Sequence, residues 1–229
     1  MITIKKSEIP PSSLEIEKKK ASGKYNKEDV IKQLKEEFHN KCYICEHDGP
    51  TNINVEHFIP HKEDIDLKFD WGNLYYACGH CNNTKLAKYD NILNCTLEDD
   101  DVENNIRLHI DLFPRKFVSV SSVKADIKTL NTVELLEKVY NGSTATKNIE
   151  AQNLREYLIS DLRDFQKSIF LYYEAEKYSE TENMELIKNK IKRHLHDASA
   201  FTSFKRWIIK DSEELMKDFG ELFLKPSVQ

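Results

Sequence analysis

The chain has 229 residues, 39% of them hydrophobic and 32% charged, with six glycines and six prolines. That composition suits one or two globular domains and excludes disordered, collagen-like and linker-like chains. The net charge of −5, from 34 basic and 39 acidic side chains, argues against a free-standing electrostatic DNA binder but allows a local basic surface.

Met1 to Pro10 carries Lys5, Lys6 and Glu8 and no apolar run, so no secretory leader is expected. No apolar stretch approaches the roughly 18 residues of a membrane span. A cytoplasmic location is expected, where thiols stay reduced and paired cysteines point to metal or redox chemistry. Residues 1–25 read as an extended, partly ordered arm, with Pro10-Pro11 as a helix breaker and Lys18-Lys19-Lys20 as a solvated face. A helix capped by Asn26 should follow, its apolar set Val30, Ile31, Leu34 and Phe38, and deliver the chain into Cys42. Asn52 to Pro60 reads as two short strands or a hairpin. Leu74 to Ala77 leads into Cys78, and a helix is expected from near Cys81 toward Tyr89.

The acidic stretch from Leu97 to Glu103 suggests an exposed loop, and Arg107 to Val120 alternates loosely enough to hold a strand. Thereafter the pattern is helical. Thr132 should cap a short helix ending at Asn141-Gly142. A long helix is expected over residues 145–178, with Ile149, Leu154, Leu158, Leu162, Phe165, Ile169 and Tyr172 on one face. Further helices are expected near 181–196, 199–210 and 211–220.

The chemistry concentrates between residues 42 and 95. Cys42-x-x-Cys45 and Cys78-x-x-Cys81 are two metal knuckles, and four thiolates in two such pairs can close a tetrahedral Zn²⁺ site. The 32 residues between the pairs exceed an ordinary zinc-ribbon gap, so the insert is itself an element. Cys95 stands alone and reads as a buried thiol. Cys78-Gly79-His80-Cys81 also has the form of a dithiol redox site, but that chemistry needs a βαβ frame, and none surrounds it.

Inside and just after the insert stand Asn54-Val55-Glu56-His57-Phe58-Ile59-Pro60, Asp70-Trp71-Gly72-Asn73-Leu74 and Asn82-Asn83-Thr84-Lys85. Together with the knuckles they resemble the HNH endonuclease family, whose fold is the ββα-metal finger, over about residues 38–90. The resemblance implies an α+β protein: a finger stapled by a Cys₄ zinc, embedded in a mostly α-helical chain. Its expected parts are an N-terminal arm and helix (1–37), the nuclease finger (38–95), and a connecting segment with a helical C-terminal domain (96–229). It further implies His57 as general base, Asn73 as the residue that shapes the loop and orients that base, and Lys85 as a phosphate contact. Glu56 and Asn82 are implied ligands of one catalytic Mg²⁺ or Mn²⁺. His61, His80 and Asn83 are nearby substitutes. Glu56 stands where the family usually has Asp, and Asn82 stands where it has His or Asn, the Asn being the weaker metal ligand.

These residue types suit phosphodiester hydrolysis. A histidine of near-neutral pKa can deprotonate water, and a hard divalent ion with oxygen ligands can stabilise charge on the phosphorane and the leaving oxygen. Ile4, Lys6 and Pro11 in the arm, the early helix and the helical C-terminal half resemble one subgroup, the HNH partners of anti-phage defence ATPases of the Septu type and their retron-associated relatives. That resemblance implies DNA as substrate and an ATPase on another chain, since no phosphate-binding glycine loop is present here. The alternatives are a non-catalytic zinc module that binds nucleic acid or protein, and a dithiol redox protein. In the helical half, Lys188, Lys190, Lys192, Arg193, Lys205, Arg206 and Lys210 form either a phosphate-binding stripe or a solvated face. His194 and His196 have a poor helical metal spacing. Phe201, Phe204, Trp207 and Ile208 read as core or partner contacts.

Overall fold

The computed structural model describes residues 1–111, 116–178 and 181–224, with only the backbone of Thr181 and Glu182. Helix α1 (Ser12–Lys18) starts directly after Pro11. Pro10-Pro11 therefore opens a helix instead of breaking one, because a proline's fixed φ and missing N–H cost nothing ahead of the first turn. Helix α2 (Glu28–Glu37) buries Val30 and Leu34, as its spacing requires. Its N-cap is Lys27, without a side-chain bond, and not Asn26. Asp29 instead accepts the Ser13 hydroxyl at 2.6 Å and the Ser13 N–H at 3.1 Å, tying α2 to α1. His39 and Asn40 then adopt left-handed φ of 54° and 58° and turn the chain toward Cys42.

The finger follows. Strand β1 (Ile53–His57) pairs antiparallel with β2 (Leu74–Cys78), Ile53 opposite Cys78 and His57 opposite Leu74. The segment 52–60 is thus one strand, and its partner comes from beyond the insert. The crossing between them holds helix α3 (Ile65–Phe69), capped by Asp64, and a 3₁₀ turn (Trp71–Asn73) capped by Asp70. Helix α4 (Gly79–Lys85) begins where β2 ends, with Cys78 as its N-cap, and stops before Leu86, whose φ is +46°. It is earlier and shorter than the sequence suggests. A Cβ on Gly79 would lie 2.7 Å from the Asn52 amide nitrogen, so the exposed Asn52 side chain would have to shift.

Beyond the finger, Leu97 to Glu103 forms two short helical turns, the second being α5 (Val102–Asn105), and Val102 is buried. The alternating stretch holds two strands, β3 (Ile106–Asp111) and β4 (Phe117–Ser122), paired antiparallel. Helix α6 (Ile127–Asn141) begins at Asp126, which accepts the Thr129 N–H at 2.9 Å. Thr132, expected as the cap, is buried inside it and accepts the Leu93 N–H at 2.8 Å. Gly142, with φ of +78°, ends the helix as its sequence signal indicates. Helix α7 (Ala145–Lys177) buries Leu154, Leu158, Leu162, Phe165 and Tyr172, while Ile149 lies off this face at 63% exposed. Helices α8 (Thr181–Leu195), α9 (Thr202–Lys210) and α10 (Glu213–Phe219) complete the chain.

The fold is mixed helix and strand, as expected. One continuous core joins Ile2 and Ile4 of the arm, Leu34 of α2, Tyr43 and Tyr75 of the finger, Leu135 of α6 and Leu158 of α7. The finger is therefore inlaid in the helical body, and the start of the arm is part of the core. A second cluster, built on Phe165, Ile191, Leu195 and Phe219, locks the C-terminal helices together. Among the described residues no helix is long and apolar enough to cross a membrane.

Candidate active site and metal centre

The two knuckles converge. The sulfurs of Cys42, Cys45, Cys78 and Cys81 all lie within 4.8 Å of one another, and all four residues are buried. Cys45 and Cys78 are 3.9 Å apart, and the Cys81 N–H points at the Cys78 sulfur at 3.4 Å. A tetrahedron of Zn–S bonds of about 2.3 Å has edges of roughly 3.8 Å, so this cluster fits zinc. Its electrostatics call for a cation. Hydrogen bonds from the other three thiols pull Cys78 far down, whereas burial drives Cys45 and Cys81 well up. The cluster can hold a first negative charge, but further charge needs a metal. Cys95 is buried and outside the cluster, and burial pushes its thiol up to about 12.

On the opposite edge of the finger, β1, the crossing and α4 enclose a cleft of about 260 Å³ lined by Tyr25, Glu56, His57, His61, Asn82 and Leu86. His57 ends β1. Its Nε2 lies 3.0 Å from the Lys68 carbonyl oxygen, which can only accept, so Nε2 carries the proton and Nδ1 keeps a free lone pair. Burial lowers the pKa of His57, with His61, Lys68 and Lys85 adding like-charge repulsion, against the opposing bond to Lys68. The ring is therefore neutral near pH 7, as a base must be.

Asn73 fixes the crossing that presents this carbonyl. Its Oδ1 accepts the Ile59 N–H at 2.7 Å, its Nδ2 donates to Ile59 O at 2.8 Å and Leu67 O at 3.2 Å, and its own carbonyl accepts the Phe58 N–H at 2.9 Å. Leu67 adjoins Lys68, so Asn73 reaches His57 through the backbone of the crossing. Asn82, half-buried on α4, lines the cleft, and its side-chain amide has no partner among the described residues.

Glu56 and Lys85 depart from expectation. Lys85 is wholly buried, and its ammonium donates to Glu56 Oε1 at 2.8 Å, Phe58 O at 2.8 Å and His57 O at 3.3 Å. An ammonium has three protons, so none is left for a phosphate. Glu56, 6% exposed, takes Lys85 on one oxygen and the Tyr43 hydroxyl on the other at 2.6 Å. Burial pushes its carboxyl up, against the pull of Lys85 and Tyr43. Together these residues bolt α4 to β1. Asn82 lines the cleft with a side-chain oxygen that has no partner among the described residues, a donor type suited to a hard cation that keeps most of its own water, and Glu56 does not fit as a direct ligand.

Of the substitutes, His61 lies in the cleft, its ring 4.6 Å from that of His57. His80 faces away, bonding Glu150 and the Val139 carbonyl at 2.8 Å each and so joining the zinc knuckle to α6 and α7. Asn83 is exposed. Tyr25, whose ring stands edge-on to His57 at 4.4 Å, was not foreseen. It comes from the α1–α2 turn, where no local pattern links it to the finger.

The basic stripe of the helical half is mostly structural. Lys205 pairs with Asp161 at 2.7 Å, and Arg206 with Glu103 and Asp197 at 2.6 Å each. Lys210 bonds Glu103 O and Asn104, and Lys188 pairs with Glu221. Lys190, Lys192 and Arg193 remain exposed. A larger groove of about 540 Å³, between the arm and the C-terminal helices, mixes Glu37, Asp101 and Glu103 with Lys5, Arg206 and Lys210 and shows no preference of charge.

Residues 42–88 match the HNH endonuclease family. The match covers both knuckles, the crossing, α4 and every cleft residue named above except Tyr25. No curated protein matches the chain.

Proposed function

We propose that this protein is a zinc-stapled HNH nuclease that hydrolyses phosphodiester bonds in DNA with one divalent ion, Mg²⁺ or Mn²⁺. The observation that carries this reading is a half-buried histidine, oriented by a backbone carbonyl, in one cleft with an unpartnered amide oxygen donor. In this reading His57 Nδ1 takes a proton from an attacking water as its oxygen bonds to phosphorus. The P–O3′ bond then breaks, and the departing oxygen is protonated by solvent. Asn82 would hold the divalent ion, whose role when bound is to neutralise charge on the phosphate and the leaving oxygen. Asn73 positions His57, while Lys85 and Glu56 keep β1 and α4 in register.

The finer reading follows the subgroup resemblance: a cytoplasmic anti-phage effector that works with an ATPase carried on another chain. The separate ATPase would supply trigger and recruitment, which suits a chain of net charge −5. A plasmid nicking assay with Mg²⁺ or Mn²⁺, with and without such an ATPase, tests both levels. Nicking by wild type and not by His57→Ala supports the nuclease. Absence of His57-dependent cleavage under every condition overturns it. A reading as a non-catalytic zinc module would leave Asn82 and the oriented tautomer of His57 without purpose.

A further inference from the structure

The cleft holds a second histidine whose proton is placed oppositely to that of the first. The backbone N–H of Glu63 donates to His61 Nδ1 at 3.1 Å. That nitrogen must offer its lone pair, so the neutral His61 ring carries its proton on Nε2. His57 carries its proton on Nε2 as well, but there the Lys68 carbonyl takes it up. One ring thus keeps a lone pair and the other an N–H that has no partner among the described residues, with their centroids 4.6 Å apart.

The local backbone is shaped for this. Lys62 and Glu63 adopt left-handed φ of 44° and 70° in succession, although neither is a glycine. Such residues cost about 1 kcal/mol or more each and persist only where other contacts impose them. Here the Asp64 N–H closes the turn on His61 O at 2.7 Å, and Asp64 then caps α3. The same turn delivers the Glu63 N–H to the imidazole.

We propose that His61 is a second catalytic residue: its Nε2–H donates a hydrogen bond to a non-bridging oxygen of the scissile phosphate as negative charge grows there. This rests on the nuclease reading. In this role the ring donates a hydrogen bond and transfers no proton. Nor does it ligate the divalent ion. Ligation through Nε2 would require moving the proton to Nδ1, against the Glu63 N–H.

The test compares wild type, His57→Ala, His61→Ala and His61→Gln in plasmid nicking over a Mg²⁺ and Mn²⁺ titration, with zinc content and melting temperature measured on each. Removing a donor to a developing oxyanion costs roughly 10²–10³ in rate. His61→Ala should lose about that much, with zinc, melting temperature and metal dependence unchanged. His61→Gln keeps an amide N–H near the Nε2 position and should recover to within about tenfold of wild type. A His61→Ala rate within about threefold of wild type overturns the role. So does rescue of that variant by excess Mn²⁺, which would make His61 a metal ligand, or a His61→Gln variant that folds normally and is as slow as alanine. Wild type that shows no His57-dependent cleavage instead brings down the nuclease reading itself.

Discussion

The finger and the helical half both bury charged side chains, but they treat their remaining polar groups differently. In the helical half the buried cations among the described residues have carboxylates against them: Lys205 has Asp161, and Arg206 has Glu103 and Asp197. In the finger, Lys85 and Glu56 are satisfied in the same way. Yet His57, His61 and Asn82 stay half-buried in one cleft with a free lone pair, a free N–H and a free amide. Satisfied buried charges mark architecture. Unsatisfied polar groups that converge in one cleft mark a candidate site.

The largest expected effect breaks the finger and spares its surroundings less than a surface change would. Cys78→Ser, or chelation of zinc, should unfold the finger, since zinc in small finger peptides contributes about 10–16 kcal/mol. Because one core joins the finger to α2, α6 and α7, the global melting temperature should fall too. A zinc-free protein with an unchanged thermal transition would show that the staple is dispensable.

Next comes chemistry without architecture. His57→Ala should lower cleavage by about 10³ at unchanged zinc content and melting temperature, within the range for removal of a general base. The rate should also report the ring's charge. A lowered His57 pKa means the base is neutral above that pKa and is lost as pH falls through it, so the acid limb should have its midpoint below 6.5. A midpoint at or above that value would place another group in control.

The comparison sharpens at the two buried lysines. Lys85→Met should destabilise by about 3–5 kcal/mol, because it leaves the buried Glu56 carboxylate without its ammonium, and Lys205→Met should cost less, because Asp161 is partly exposed and can be hydrated. If Lys85 held phosphate instead, its loss would weaken DNA binding in a salt-dependent way and leave urea midpoints untouched. The smallest effect is expected at Lys192 and Arg193, which are exposed on α8. Reversing both to Glu should leave stability unchanged, and any phosphate contacts they make would appear as a salt slope shallower by about 0.9 per contact. An unchanged slope assigns them to a solvated face.

The gathering of the four cysteines, and of His57 and Asn82 in one cleft, was legible in the sequence because it follows from residue type and chain order across a short insert. Cap positions were less legible. Asp126, not Thr132, opens α6, and Asp29 serves Ser13 sixteen positions away, since a short polar side chain takes whichever donor the fold brings near. Tyr25 carried no local signal at all, being placed against His57 by the packing of α1 and α2 on the finger.

Sequence alone determined the gathering of the four cysteines and the identity of the histidine near the end of the first strand, since each depends on spacing along a few dozen residues. Only the tertiary structure decided which polar atoms are already occupied. It turned Lys85 and Glu56 inward, and it gave His57 and His61 their ring partners, the Lys68 carbonyl and the Glu63 N–H. A hydrogen bond depends on direction and distance to within a few tenths of an ångström, and that information exists only once the chain has closed upon itself.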